Sequence, residues 1–255
     1  MVCPLFIIYI ACFFCFKETI RTTICCSTCV VRLFFEFWGY GVNGLRNGIA
    51  TSLVIFSFLV PNNDVKRIPV WIIACLFHQS AMLPIGCFLL TRLSNNPKYY
   101  LYLWGTFFLL MLVARDSFST VLTNIPWFEQ DKRMSIYLNM SYEGLENMFS
   151  NVGFRWDFII YSLMPIVAGV KYIYTYCYDD KLFIRLFNTY IASNAFWLLT
   201  IYVPYNNRFA YLSWFLYPIV LIYPLLKEDL ISNQGVKIQF MIVLYYLFTY
   251  LMWLK

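Results

Sequence analysis

"IPVWIIACLFHQSAMLPIGCFLL" fills Ile68–Leu90, a run of 23 residues without one charged side chain. A membrane-crossing helix needs about 20 apolar residues, so the stretch reads as one span. His78, Gln79 and Ser80 interrupt it near its middle. Three hydrogen-bonding side chains at that depth need partners in a helix bundle or in a wet cavity. His78 reads either as a structural helix–helix hydrogen bond, as a proton carrier, or as a hydrogen-bond donor to an anion.

The rest of the chain repeats the pattern of that run. Of 255 residues, 61% are hydrophobic, 21% aromatic and only 13% charged, where soluble domains carry about 25% charge. A soluble fold would have no polar exterior to show water. Further apolar segments lie at Leu45–Val60, Tyr99–Ala114, Phe158–Tyr174, Leu182–Val203, Arg208–Leu226 and Ile238–Leu254. Val2–Phe16 is apolar with no basic residue before it, which argues for a retained short first span and against a cleaved signal. The runs are continuous, not alternating, and too long for barrel strands. The expected class is all-α: a polytopic transmembrane helix bundle of about seven to eight membrane segments, with residues 1–255 as one integral membrane domain. Cys29–Tyr40, with Arg32 and Glu36, suits an interfacial or half-buried helix. Residues 115–154 read as a long amphipathic interfacial loop.

The net charge of +6 comes from single basic residues between apolar runs, so nucleic acid is excluded as a partner. Cys25, Cys26 and Cys29 lack a nearby fourth ligand, and the only histidine, His78, is remote in sequence. No metal or other cofactor is expected. The positive-inside bias puts Lys66/Arg67, Lys181/Arg185 and Lys227/Lys237 on the cytoplasmic side and Arg46 and Arg208 on the outer side. Simple span counting does not close with that assignment unless one segment is re-entrant.

Four stretches carry the candidate chemistry. In "GYGVNGLRNGIATS", Gly39–Ser52, the Gly44/Gly48 pair makes a close-packing face, while Asn43, Arg46, Asn47 and Thr51 share a polar arc. The second is His78–Ser80. In "NVGFRWDFIIYSLMPIV", Asn151–Val167, Arg155 precedes the helix, Asp157 reads as its N-cap or as a working carboxylate, and Pro165 frees the carbonyl of Tyr161. In "PYNNRFAYLSWF", Pro204–Phe215, Asn206 and Asn207 suit a turn, Arg208 opens the next helix, and Tyr211 follows on the same face. Pro218 and Pro224 predict a bent or broken helix there, and Asn188 and Asn194 put polar groups inside the preceding span. Arg46, Arg155 and Arg208 thus stand at three span edges. A guanidinium fork matches phosphate, and Tyr, Trp and Asn suit a sugar. The ligand implied is an amphiphile with an anionic head. Interfacial anchoring of the arginines and a lipid-binding scaffold fit the same pattern.

"GLRNGIATSLVIFSFL", "ACLFHQSAMLPI", "GFRWDFIIYSLMPIV" and "NAFWLLTIYVPYNNRFAYLSWFLYPIVLIYPLL" follow one another between Gly44 and Leu226. In this order they resemble the EpsG family, Wzy-like membrane proteins of bacterial exopolysaccharide and capsule assembly. The resemblance covers about Phe34–Leu226. Residues 1–32 do not match it, nor is the family's early loop with an Asp and a Tyr found, so a shortened member is expected. The resemblance implies a membrane glycosyltransferase, or polymerase, that joins polyprenyl-diphosphate-linked oligosaccharide units at the outer face of the inner membrane. Membrane lipids and other polysaccharide assembly proteins are the further partners it implies. It implies that Arg46, Arg155 and Arg208 stabilise the departing diphosphate, with Asn47, Asn207 and Tyr211 beside them, and that His78 or Asp157 serves the attacking hydroxyl as base. A lipid-linked glycan transporter and a non-catalytic membrane partner are the competing readings. Arg208→Lys keeps the charge but loses the fork. An anionic-head site predicts a loss of about tenfold or more in chain lengthening of lipid-linked units, whereas wild-type activity would make Arg208 an interfacial anchor.

Overall fold

The computed structural model describes residues 45–59, 64–113, 156–202 and 206–253. Val2–Phe16, Cys29–Tyr40, the loop 115–154 and Arg155 lie outside the described residues. Regular structure among the described residues is helical throughout. In chain order α1 is Leu45–Leu59, α2 Asp64–Phe77, α3 Met82–Leu90, α4 Pro97–Val113, α5 Trp156–Val170, α6 Lys181–Leu199, α7 Asn206–Trp214, α8 Tyr217–Lys227 and α9 Gln234–Trp253. A single 3₁₀ turn, Gln79–Ala81, links α2 to α3, and a π turn, Lys171–Thr175, extends α5. Among the described residues two helical segments, Trp156–Thr175 and Arg208–Lys227, are long and apolar enough to cross a membrane, and Leu45–Phe58 and Gln79–Leu90 are shorter apolar helices.

Ile68–Leu90 is not one helix. His78 is extended, with φ −154° and ψ 118°, and its side chain accepts the N–H of Ser80 to start the 3₁₀ turn. The chain then runs back along itself. The Arg67 guanidinium lies 5.4 Å from the centre of the Phe88 ring, and the Trp71 and Phe88 rings stand edge to face at 6.4 Å. A continuous helix would hold Arg67 and Phe88 about 30 Å apart at 1.5 Å per residue. α2 and α3 are therefore two arms of a helical hairpin with His78 at its tip, which corrects the single-span reading. α2 rises about 21 Å and α3 about 14 Å. The cause is local, because the polar triplet supplies a side-chain acceptor for an amide that the break would leave unpaired.

α1 packs against α2 in antiparallel sense. Near the chain reversal between them, Arg67 Nε donates to the Ser57 carbonyl at 3.0 Å and Trp71 Nε1 to Ser57 Oγ at 2.7 Å. The Phe58 ring stacks on Phe88 at 4.1 Å, and the Arg185 guanidinium lies 4.2 Å from the same ring centre. These contacts tie α1, α2, α3 and α6 at one end, called here the basic end.

α6 is the central rod; Phe183, Leu186, Phe187, Tyr190, Ile191, Trp197 and Leu198 on it have no exposed surface. α4 runs parallel to it, as the contacts Asn188–Asn95, Asn194–Trp104 and Tyr202–Met111 advance together along both helices. α5 and α7–α8 run antiparallel to it. At mid-height Asn194 joins four helices: Oδ1 accepts Trp104 Nε1 of α4 at 2.8 Å, and Nδ2 donates to Ser162 Oγ of α5 at 3.1 Å and Ser213 Oγ of α7 at 3.0 Å. Trp214 Nε1 donates to the same Ser162 hydroxyl at 2.8 Å, and the Tyr190 hydroxyl donates to the Ser162 carbonyl at 2.9 Å. At Gly169 a β-carbon would fall 2.3 Å from the Phe187 ring, so α5 and α6 meet there at a separation only glycine permits.

The expected break in the segment from Arg208 lies at Phe215–Leu216, between α7 and α8. It places Pro218 in the first turn of α8, where its missing N–H costs nothing. Asn206 and Asn207 belong to the first turn of α7, not to a preceding turn, so Arg208 sits inside the helix. Pro165 lies within α5, which continues through it to Val170.

The exterior is apolar where helices face outward: Val65, Ile68, Ile72 and Leu76 line one face of α2, and Val236, Phe240, Val243 and Leu247 one face of α9, all exposed. Large contiguous apolar faces of this kind mark contact with lipid or protein. Charge is segregated. Lys66, Arg67, Arg92, Lys98, Lys171, Lys181, Arg185, Lys227 and Lys237 lie at or near the basic end, whereas Arg46 and Arg208 lie at the other. At the basic end Asp180 caps α6, accepting the N–H groups of Leu182 at 2.7 Å and Phe183 at 3.0 Å, and pairs with Lys227 of α8.

Two outcomes follow from this packing. Asn194→Ala leaves Trp104 and two serines without their buried partner, and unfolding in detergent should show a loss of about 2–4 kcal/mol. Burial pushes the Asp180 carboxyl up, but hydrogen bonds from Lys227, Phe183 and Leu182 outweigh it and hold the group below its ordinary value of 3.8. A depressed carboxyl stabilises the fold fully above the unfolded value and loses that contribution as pH falls through the lower folded value. Asp180→Ala should therefore cost about 1 kcal/mol at neutral pH and much less below the ordinary carboxyl range, measured as unfolding midpoints across pH.

Candidate active site

Three side chains from distant parts of the sequence converge at the end opposite the lysines. Arg46 stands in the first turn of α1, Arg208 in the first turn of α7, and His78 at the hairpin tip. Both guanidinium charges lie within electrostatic reach of the His78 ring. The convergence depends on the fold-back. With α1 antiparallel to α2, the start of α1 meets the end of α2, and α7 enters from the same end because it runs antiparallel to α6.

His78, Arg46 and Arg208 are all exposed to that end. Asn47, beside Arg46, is half-buried, and its Oδ1 is enclosed and accepts nothing among the described residues. A buried amide oxygen without a donor costs free energy, and a hydroxyl-bearing ligand would satisfy it. Thr51, expected on the same polar arc, is buried and spends its hydroxyl on the carbonyls of Asn47 at 2.9 Å and Gly48 at 3.1 Å. It holds the helix and offers nothing to a ligand.

Asp157 is the second residue of α5, not its N-cap, since the helix begins at Trp156. A carboxylate in a first helical turn is favoured by the helix dipole. α5 runs parallel to α7 and α8, with the Phe158 and Trp214 rings edge to face at 5.1 Å and the Tyr161 and Tyr217 rings stacked at 4.4 Å. Trp214 is about 9 Å along α7 from Arg208, so Asp157 opens onto the same end. Tyr211 is half-buried one turn after Arg208, its ring 6.0 Å from that of Trp214. Asn207 lies in the same first turn by its backbone, and its side chain, like Arg155 as a whole, is outside the described residues.

Sequence reasoning missed Ser80 as more than a polar interruption. Its hydroxyl lies 2.5 Å from His78 Nδ1, and its N–H donates to that nitrogen at 3.3 Å. The His-x-Ser spacing, which lets a side chain bond an amide two residues on, was the available signal. Among the described residues no cluster of His, Cys, Asp and Glu could hold a metal ion.

An all-helical fold of the described residues, with apolar outward faces, a lysine-rich end and Arg46 and Arg208 near His78 at the opposite end, defines the class. The chain belongs to the EpsG family, whose model matches residues 1–255. That match runs beyond the Phe34–Leu226 region in which the motifs were recognised, and includes residues 1–32. No curated protein and no solved structure matches the chain. Family membership marks it as an exopolysaccharide-related membrane protein.

Proposed function

We propose that the chain is a multi-pass inner-membrane polysaccharide polymerase, a glycosyltransferase that joins polyprenyl-diphosphate-linked oligosaccharide units. The observation that carries this reading is the meeting of Arg46, His78 and Arg208 at one end of an apolar bundle. A diphosphate ester needs cationic forks and donors at the bilayer edge, and its polyprenyl tail needs the apolar flank that α2 and its neighbours present.

The fold-back also supports one topology. If the basic end is cytoplasmic, in keeping with the positive-inside bias, α1 starts outside, the α2–α3 hairpin enters from and returns to the inside, and α4 leads out. α5 leads in, α6 out, α7–α8 in and α9 out. Span counting then closes, and the end of α4, the start of α5, Arg46 and Arg208 all face outward. The α2 arm, at about 21 Å, is about as long as α1 beside it, so the hairpin tip reaches the level of Arg46.

In the reaction the glycosidic C–O bond to the diphosphate breaks as the acceptor hydroxyl attacks the same carbon. Arg46 and Arg208 stabilise the charge that accumulates on the diphosphate, and a base takes the hydroxyl proton. Arg155 and Asn207 are expected beside them, with Asn47 and Tyr211 contacting sugar.

Purified protein in detergent, supplied with lipid-linked repeat units, should lengthen chains with no requirement for transport. Arg46→Ala should lower that rate about 10²–10³-fold without loss of folded protein. Units that stay monomeric with folded full-length protein would defeat the polymerase reading. The broken helices α2–α3 and α7–α8 also suit a transporter of lipid-linked glycans, and movement of labelled units across proteoliposomes without lengthening would favour that reading.

A further inference from the structure

His78 is the only histidine in the chain, and its surroundings specify which ring nitrogen holds the proton. The backbone N–H of Ser80 donates to Nδ1 at 3.3 Å. A nitrogen that accepts a hydrogen bond carries no proton. Ser80 Oγ, 2.5 Å from the same nitrogen, must therefore be a donor to it also. The proton of the neutral ring is left on Nε2. That nitrogen is the one not engaged by Ser80, on an exposed side chain within electrostatic reach of both Arg46 and Arg208.

Resting on the diphosphate reading above, we propose that Ser80 is a positioning residue that locks His78 as an Nε2–H donor to the departing diphosphate, and that the base is Asp157. With Nδ1 occupied and Nε2 already protonated, His78 has no lone pair to offer a sugar hydroxyl. In the transfer the C–O bond breaks with its electron pair passing to the diphosphate oxygen. The acceptor oxygen bonds to that carbon and its proton goes to the Asp157 carboxylate. His78 keeps its proton and contributes a hydrogen bond, as an oxyanion-hole donor does. The two arginines supply the charge, and the imidazole adds a directed donor.

A lone histidine makes the test direct. Protein labelled with ¹⁵N-histidine in detergent should give, at neutral pH, an imine-type Nδ1 and a protonated, pyrrole-type Nε2. Ser80→Ala removes one of the two donors, so both nitrogens should move toward the exchange-averaged positions of free histidine. Inorganic diphosphate should shift Nε2–H and leave Nδ1 imine-type. In chain lengthening, His78→Gln retains a donor near the Nε2 position and should exceed His78→Ala by about tenfold. A protonated Nδ1, an averaged wild-type spectrum, no response to Ser80→Ala or to diphosphate, or equal activities of the two His78 variants would each overturn the inference. The spectra need no turnover: the expected tautomer in a protein that never lengthens chains would defeat the polymerase reading and leave the donor assignment standing.

Discussion

A helix that stops inside an apolar run must find partners for the amides it frees. At His78 the chain meets this constraint with one side chain. The imidazole accepts the N–H of Ser80, a 3₁₀ turn forms, and α3 returns along α2. The approach of His78 to Arg46 and Arg208 depends on that turn. Were the segment straight, His78 would sit midway along a span, and Phe88 could not meet Arg67 and Arg185. As a hairpin, it lifts its polar tip to the level of Arg46 and closes its two ends through Arg67 and Trp71 against Phe88.

The second requirement is rigidity around the tip. Asn194 supplies it by pairing with α4, α5 and α7 from inside α6, in a core where an unpaired amide would be costly. Because its partners sit on different helices, the network fixes their relative heights. The start of α5, with Asp157, and the start of α7, with Arg208, are thereby held at the end to which the hairpin points. Gly169 against Phe187 and the Asp180–Lys227 pair fasten the same helices lower down. The division of charge follows from this frame: lysines gather at the end away from the site, and two arginines remain where an anionic head would sit.

Much of this was legible in the residues. Composition and run length locate the helices to within a few positions, since burial in an apolar medium is a local property of each segment. Asn188, Asn194 and the His-Gln-Ser triplet are conspicuous because polar groups are rare among such neighbours. The reversal at His78 was not legible, because its 23 uncharged residues satisfy the length criterion for a span. The contacts of Arg67 and Trp71 with Phe88, far apart on any straight helix, and the extended backbone at His78 distinguish the two. The failure of span counting was the trace that the hairpin left in the sequence. Asp157 was placed two positions too early, at the cap and not at the second residue of the helix, because its side chain suits a cap as well as a first turn. Thr51 shares a polar arc with Arg46 by spacing, yet its hydroxyl is consumed within its own helix, which residue type cannot reveal.

The fold-back at His78 is the claim on which the site rests, and the separation of its two arms tests it. Spin labels introduced as non-natural residues at the exposed positions Lys66 and Leu90, with the native cysteines left in place, report that separation in detergent or nanodiscs. The hairpin predicts strong dipolar coupling at less than about 20 Å, whereas a continuous helix would put the two positions about 36 Å apart. The longer distance would contradict the hairpin, and with it the meeting of His78, Arg46 and Arg208.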